Sequence, residues 1–326
     1  MMKKRVVLSF LLVIALLAMT LAGCSKGGKP DTDNQQGAEG EKSYQFVLVT
    51  MDSIDEHWLS VQSGAKDKAD ELGNVKITFR APADKADPNE QVRMVEDAIN
   101  QKADAILVAP TDQAALSPVV EKATDAGIPV IIIDSPVATE KYTSFVATDN
   151  QAAAELAADE LAELIEGKGK IAIISAQPGS GTTMVRENGF KDRVKEKYPD
   201  IEIVTTQYSM GDKTKALNYT LDILTANPDL AGFYATNEGS TVGVARGVQE
   251  KGVVDKVKVV GFDKSQDIIN ALNEGLIQAT MVQNPYNMGS LGVELAISAI
   301  EGKDVEKKID TGVTVVTKDN IDQIGK

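Results

Sequence analysis

The chain has 326 residues, a formal net charge of −14, one cysteine, one histidine and one tryptophan. This acidic excess argues against nucleic acid as a partner, because phosphate contacts need clusters of lysine and arginine. A single cysteine has no partner for an internal disulfide.

The first segment of the chain has the pattern of an export signal. Positive residues at 3–5 precede an apolar run over 6–21, and the sequence Leu-Ala-Gly-Cys ends at Cys24. We expect residues 1–23 to be a cleaved signal peptide rather than a membrane-spanning helix. The four residues resemble a bacterial lipobox, which implies that Cys24 carries lipid and anchors the protein outside a bacterial membrane. An incidental cysteine at the end of the leader is the alternative.

Residues 24–43 have no apolar periodicity and are rich in glycine, aspartate and glutamine, which predicts a flexible tether. The mature chain would be more acidic still, because loss of the three positive charges at 3–5 takes the net charge from −14 to −17. The residues beyond the tether exceed one typical core and indicate two domains.

From residue 44, short apolar runs alternate with amphipathic stretches of helix length. Strands are predicted at 45–51, 75–80, 105–109, 130–134, 143–147, 170–175, 201–207, 231–235, 257–262 and 278–283. Helices are predicted at 58–72, 89–102, 112–126, 150–166, 184–197, 213–226, 239–250, 265–274 and 286–301. This alternation predicts an α/β fold with two doubly wound, parallel-sheet lobes.

Ligands of doubly wound sheets bind outside the carboxyl ends of the strands, so the residues there are candidates for a site. The first predicted strand leads to Asp52, Asp55, His57 and Trp58, which include the only histidine and the only tryptophan. Trp58 could instead fill the apolar face of the helix that follows.

Other strand ends carry residues that are favoured helix N-caps. We predict only a capping role for Asp112, Asp149 and Ser265. A ligand role is favoured for a second group, because a neighbouring residue could serve as the cap in each case; this group is Asp134, Asn237 and Asp263.

Five stretches in order, "GIPVIIID", "ATDN", "TANPDLAGFYATNE", "VVGFD" and "ATMVQNP", resemble the periplasmic binding protein type 1 family. They are most similar to the ribose/galactose-type sugar receptors of ABC importers, and the resemblance covers 44–317. Repressors of the lactose-repressor type share this core, but they carry a DNA-binding headpiece where this chain has an export signal and an acidic tether.

The resemblance implies two lobes joined by a three-segment hinge, with the ligand cleft between them. The first lobe would comprise 44–148 plus 284–312, and the second 149–283 plus 313–326. The lobes would close around the solute.

The resemblance also implies roles for individual residues. Trp58 would pack on the apolar face of a sugar, while Asp52, Asp55 and His57 would bond its hydroxyls. Asp134 would accept from two hydroxyls. The remaining implied ligand-binding residues are Arg186, Asn237, Asp263 and Gln283, with Phe262 as a second apolar wall.

Departures from the ribose-type pattern argue against ribose itself. Ser135 stands where those receptors have an arginine, Ala109 where they have an asparagine, and Gly211 near the place of an aromatic residue. Two acids also lie within 53–56. We expect a larger solute rich in donors: another aldose, an inositol or an amino-sugar-like compound.

No enzyme motif is found in the sequence. No G-x-G-x-x-G follows a strand, "QPGSGTT" lacks the lysine of a P-loop, and there is no G-x-S-x-G elbow. We therefore expect a non-enzymatic receptor with no cofactor and no metal, although converging aspartates could suit Ca²⁺.

The expected partners are a small sugar or polyol, an ABC permease and, through lipid, the membrane; a monomer is expected. A sensory receptor that presents its ligand to a membrane kinase or chemoreceptor is the alternative.

Overall fold

The computed structural model describes residues 42–83, 87–178 and 181–323. The predicted signal peptide, Cys24 and nearly all of the predicted tether lie outside these ranges. Within them, no helix combines the length and the apolar character needed to cross a bilayer.

The strands fall close to their predicted positions. In chain order they are β1 (Tyr44–Val49), β2 (Val75–Arg80), β3 (Ala105–Val108), β4 (Val130–Ile133), β5 (Ser144–Ala147), β6 (Gly169–Ser175), β7 (Ile201–Tyr208), β8 (Leu230–Ala235), β9 (Lys258–Phe262), β10 (Ala279–Gln283), β11 (Lys308–Asp310) and β12 (Val313–Thr317). Strands β11 and β12 were not among the predicted elements.

Helices connect most of these strands. They are α1 (Glu56–Leu72), α2 (Pro88–Asn100), α3 (Gln113–Asp125), α4 (Asn150–Leu164), α5 (Gly181–Lys197), α6 (Lys213–Ala226), α7 (Glu238–Lys251), α8 (Gln266–Asn273) and α9 (Pro285–Ile300), with a short 3₁₀ helix at Ile321–Gln323. The predicted caps Asp112, Asp149 and Ser265 are confirmed, since each side chain accepts a backbone N–H in the first turn of α3, α4 or α8.

The strands form two six-stranded sheets, in the orders β11-β5-β4-β3-β1-β2 and β12-β10-β9-β8-β6-β7. Neighbours are parallel in both, except that β12 pairs antiparallel with β10 at the edge of the second sheet. The central strands β3 and β4 are buried on both faces, because apolar clusters lie on either side of the first sheet. The second sheet is covered on both faces in the same way. The fold is α/β with two parallel-sheet lobes.

The chain passes from one sheet to the other three times: after β5, after β10, and between β11 and β12. The last crossing contains Gly312, whose φ of 79° suits glycine. The lobe boundaries 44–148 plus 284–312 and 149–283 plus 313–326 stay a prediction, and every strand lies in the sheet to which they assign it.

Candidate functional site

A cavity of about 100 Å³ lies between the carboxyl ends of the two sheets. Both lobes contribute to its walls. The predicted site residues that line it are Asp52, Asp55, His57, Trp58, Asp134, Arg186, Asn237, Asp263 and Gln283. These side chains come from several segments that are far apart in sequence, and the two sheets bring the segments together.

The turn between β1 and α1 is fixed by its own aspartates. Asp52 is buried, and its Oδ1 accepts from the backbone N of Ile54 (3.0 Å) and of Asp55 (2.8 Å). Asp55 is the N-cap of α1, since its Oδ1 accepts from the backbone N of His57 at 3.0 Å. The turn therefore aims His57 and Trp58 into the cavity from a rigid helix start.

His57 and Trp58 are both buried, with 9% and 6% of their surfaces exposed. Their rings meet edge to face, with centroids 4.6 Å apart and planes at 80°. Trp58 also belongs to the apolar cluster beneath α1. The indole of Trp58 therefore packs in the core and also lines the cavity, so the two positions proposed for it are not exclusive.

Two aspartates occupy equivalent places in the two lobes. Asp134 follows β4 and Asp263 follows β9, and each strand is third in its sheet order. Both have positive φ, 63° and 73°, a conformation that aspartate tolerates better than most residues. Asp134 N donates to Val146 O and Asp263 N to Met281 O, both at 2.9 Å, so the next strand holds each turn.

The imidazole of His57 lies between these aspartates. Its Nε2 is 3.1 Å from Asp134 Oδ1, and its Nδ1 is 3.9 Å from Asp263 Oδ1. The contact between Nε2 and Asp134 Oδ1 is an ion pair whose geometry is not that of a well-aligned hydrogen bond. One side chain of the first lobe thus faces a carboxylate from each lobe.

The charged groups in this cluster stabilise one another's ionised forms. Burial opposes the charged imidazolium, but Asp134, followed by Asp263 and Asp55, outweighs it and raises the pKa of His57 to about 9. Burial likewise favours the neutral acid at Asp134. The cations His57 and Arg186 and the Ser135 hydroxyl outweigh that effect and hold the pKa of Asp134 below its usual value.

Arg186 reaches the cavity from α5 and is only 4% exposed. Its Nε donates to Asn150 Oδ1 at 2.7 Å and its Nη1 to Thr236 O at 2.9 Å. Its buried Nη2 has no hydrogen-bond partner within the described part of the chain. The guanidinium is held in place by two bonds and keeps a donor for a solute oxygen.

Phe262 does not form the second apolar wall that we expected. Its ring is fully buried in the core of the second lobe and is not part of the cavity lining. The Arg186 guanidinium lies over the ring, with Cζ 4.0 Å from its centroid. Strand β9 alternates its side chains, so Phe262 points beneath the sheet end and supports Arg186 from below.

Asn237 and Asp263 both serve their own lobe as well as lining the cavity. Asn237 is the N-cap of α7 and accepts from Ser240 N at 3.2 Å. Asp263 Oδ2 accepts from Glu238 N at 3.0 Å, and its Oδ1 accepts from Gln283 Nε2 at 2.6 Å. The Oε1 of Gln283 is buried and accepts no hydrogen bond from the described residues.

Sequence reasoning missed several lining residues, among them Thr111, Ser135, Gln177, Thr182, Thr183 and Met210. Ser135 and Thr182 come from different lobes, and their hydroxyl oxygens are 2.7 Å apart. Thr111, Ser135, Gln177 and Met210 follow strand ends, a position that could have marked them, whereas Thr182 and Thr183 lie in the first turn of α5. No group of three or more metal-ligating side chains occurs in the ranges that the structure describes.

A second cavity of about 510 Å³ lies on the other side of His57, at the chain crossings, where Asn284 and Gly312 line it. It is larger, but the smaller cavity has the buried indole, guanidinium and aspartates. The fold and this smaller cavity define a two-lobed receptor that encloses a small polar solute.

Similarity to known proteins shows the family to which this receptor belongs. The model of the periplasmic binding protein domain matches residues 46–304. A ribose import binding protein of Bacillus subtilis is 29% identical over 97% of this chain and 100% of its own length. The chain belongs to the periplasmic binding protein family; it is an extracytoplasmic binding protein and not an enzyme.

Two solved structures are similar throughout the lobes. An ABC transporter solute-binding protein of Agrobacterium vitis with bound D-fucose is 40% identical, has a TM-score of 0.83, and covers 86% of this chain and 97% of its own. A carbohydrate transporter solute-binding protein of Agrobacterium radiobacter in complex with D-arabinose is 35% identical, with a TM-score of 0.83 and coverage of 86% and 96%.

Proposed function

We propose that the protein captures a monosaccharide or a sugar-like polyol by closing its lobes, and delivers it to an ABC permease. The observation that carries this proposal is one cavity in which an indole, an arginine with a spare donor and buried aspartates converge from two lobes. An indole suits the C–H face of a sugar ring, and the polar groups suit its hydroxyls.

The size of the cavity favours a single ring. One buried water needs at least about 10–15 Å³ of such space, so a cavity of about 100 Å³ has room for roughly seven to ten atoms of water size. A pentose or a hexose is of this order, whereas an oligosaccharide is not.

Differences between the site residues of this chain and those of the ribose-type pattern indicate which sugar it binds. Their names give ribose, D-fucose and D-arabinose as ligands. We infer an aldose or polyol other than ribose, because Ser135 replaces an arginine of the ribose-type pattern and its hydroxyl is engaged with Asp134 and Thr182.

A thermal-shift screen of aldoses, inositols, amino sugars and nucleosides tests the solute class. A ligand at a hundredfold its Kd should stabilise the protein by about 2.7 kcal/mol, since stabilisation follows RT ln(1 + [L]/Kd). Free amino acids and short peptides are the negative set. The sugar proposal would be overturned if only compounds of this negative set raised the melting temperature.

Trp58 reports on the same event, because it is the only tryptophan in the chain. A sugar stacked in the cavity should shift or quench the emission of this indole, and Trp58→Phe should abolish the signal. Unchanged emission at a saturating concentration of a stabilising sugar would place that sugar elsewhere.

We also propose that Cys24 is the lipid-bearing N-terminus of the mature protein and holds it at the outer side of a bacterial membrane. The support is the Leu-Ala-Gly-Cys sequence after an apolar leader. Mass spectrometry of membrane-extracted protein should find an acylated Cys24, and Cys24→Ala should leave an unprocessed or soluble chain. An unmodified Cys24 in the membrane fraction would refute the anchor.

A further inference from the structure

The two lobes touch each other directly beside the cavity, at a contact that we call the seam. Its first-lobe side is Ser135 and Pro136, which follow β4. Its second-lobe side is Gly181 and Thr182, the first residues of α5. The hydroxyl oxygens of Ser135 and Thr182 are 2.7 Å apart, and Thr182 Oγ1 donates to Asp134 O at 3.3 Å. At the seam the lobes therefore contact each other through protein atoms.

Gly181 leaves no room for a side chain in this contact. A Cβ atom at Gly181 would lie 2.5 Å from Pro136 Cγ, 3.0 Å from Pro136 Cδ and 3.2 Å from Gln113 Oε1. These are the three nearest atoms beyond its chain neighbours and its own helix backbone, and all three belong to the first lobe. Carbon atoms in ordinary contact are about 3.5–4.0 Å apart. A methyl group on this residue would therefore clash across the seam.

The first-lobe side of the seam cannot easily give way. The ring of Pro136 is bonded to its own backbone and cannot turn aside. Ser135 is 1% exposed, and its Oγ donates to Asp134 Oδ2 at 2.9 Å. Ala138 N donates to Gln113 O at 2.9 Å, which ties the segment after β4 to the start of α3. The clash is therefore relieved most easily by moving the lobes apart.

The second lobe by itself would accept alanine at this position. Gly181 begins α5 and does not have a positive φ, and alanine is a better helix former than glycine. Gly181 is also outside the lining of the cavity, so it does not touch a solute there. Its influence on solute capture is therefore limited to the approach of the two lobes.

We propose that Gly181 is a positioning residue for solute capture: its missing side chain lets the start of α5 seat against Pro136 when the lobes close. The inference rests on the proposed function in one respect, that closing of the lobes is the capture step. Because Gly181 acts on the closed state and not on the solute, it changes the affinity for every solute by the same factor.

Closing can be measured without any sugar. Ser135→Cys with Thr182→Cys places two thiols where the hydroxyl oxygens are 2.7 Å apart, so a disulfide should form only when the lobes meet. Cys24→Ser removes the only other thiol. At a fixed pH, the equilibrium constant for exchange of this disulfide with oxidised and reduced glutathione is proportional to the closing equilibrium.

In this background Gly181→Ala should lower the exchange constant by about five- to a hundredfold, the range that overpacking of a contact causes. Adding Pro136→Ala should restore most of the loss, because alanine lacks the Cγ and Cδ atoms that the methyl group would meet. Asn188→Ala is the matched control, since Asn188 is exposed on the same helix α5; it should leave the constant unchanged.

The rescue separates closing from a local disturbance. A loss that Pro136→Ala does not restore would mean that the methyl group distorts α5 within its own lobe, and it would overturn the proposal. An unchanged constant in Gly181→Ala, or no disulfide in the parent, would overturn it as well. If Gly181→Ala fails to fold, the glycine is needed inside the second lobe and the proposal is wrong.

In the chain with native Ser135 and Thr182, Gly181→Ala should weaken the binding of all sugars that raise the melting temperature by one common factor. Calorimetric titration measures this, and unequal losses would contradict the proposal. Because the glutathione assay contains no sugar, its failure leaves the thermal-shift result standing. A failed sugar screen with an intact rescue would refute the proposed solute alone.

Discussion

Asp263 is bound within its own lobe before any solute arrives. Its two oxygens accept from Glu238 N and Gln283 Nε2 while it also faces His57. From the sequence it was a candidate ligand-binding residue only, because strand ends do not reveal which backbone donors come near. The structure adds a structural role that the sequence could not show.

Asp263→Asn should therefore weaken both solute binding and the fold. Asparagine tolerates the positive φ, but one of its oxygens becomes an NH₂ group and leaves a buried donor unpaired. The free energy of unfolding without sugar should fall by about 1–3 kcal/mol, and affinity for the stabilising sugar should fall at least about tenfold. Urea denaturation and calorimetric titration measure the two effects. Unaltered stability would show that the two bonds contribute little.

His57 offers a direct measurement, because it is the only histidine in the chain. Its imidazole resonances need no assignment, and their NMR titration should have a midpoint near pH 9, since the pKa of His57 is raised to about 9. The ion pair then stabilises the fold fully below about pH 6.5, and that contribution is lost as the pH rises through about 9.

Asp134→Asn should lower the titration midpoint of His57, because it removes the carboxylate nearest to the imidazole. Asp229→Asn is the matched control: it removes the same charge from an exposed pair with Lys170 and should leave the midpoint where it was. A midpoint that Asp134→Asn does not move would mean that Asp134 does not set the charge of His57.

At the level of elements, α1 and α9 cross at very short range. A Cβ atom at Gly64 would lie 1.9 Å from the Tyr286 carbonyl oxygen, and one at Gly289 would lie 1.9 Å from the Val61 carbonyl oxygen. The two glycines let the backbones touch. Helix α9 enters the first lobe after the second crossing of the chain, so this contact ties a late segment to an early one.

Gly289→Ala should push the two helices apart and lower the free energy of unfolding by about 1–3 kcal/mol or more, as overpacking does. Ser63→Ala is the control, since Ser63 is exposed on the same helix α1 and should change stability by no more than about 0.5 kcal/mol. Denaturant curves compare them. Equal effects would show that the helices can adjust.

The elements were largely predictable because buried parallel strands are continuous apolar runs, such as the Val-Ile-Ile-Ile of β4. The two missed strands lack that signal. Strand β11 has three residues and exposed charges at both ends, and β12 is only partly buried. Both are edge strands, held by pairing with β5 and β10, and pairing with a distant strand leaves little trace in local sequence.

At the scale of the whole molecule, the last segment completes both sheets. Strand β11 closes the first sheet beside β5, and β12 closes the second beside β10. Val316 of β12 is buried in an apolar cluster of the second lobe. A chain ended after Lys303 should lose both edges, so limited proteolysis should cut it in both lobes. A chain ended after Gln323, which keeps both strands, should resist as the full chain does. Cleavage confined to one lobe of the shorter chain would contradict this dependence.

The three crossings also set an order in time. A ribosome delivers the chain from its first residue, yet the first lobe waits for α9 and β11, and these emerge only after strands β6 to β10 of the second lobe. Until then α1 has no partner for its glycine face and β5 has an open edge. Neither half can reach its native form while most of the chain is still being made. A nascent chain so delayed stays open and extended for longer, which is the condition in which a protein can be threaded through a narrow membrane channel.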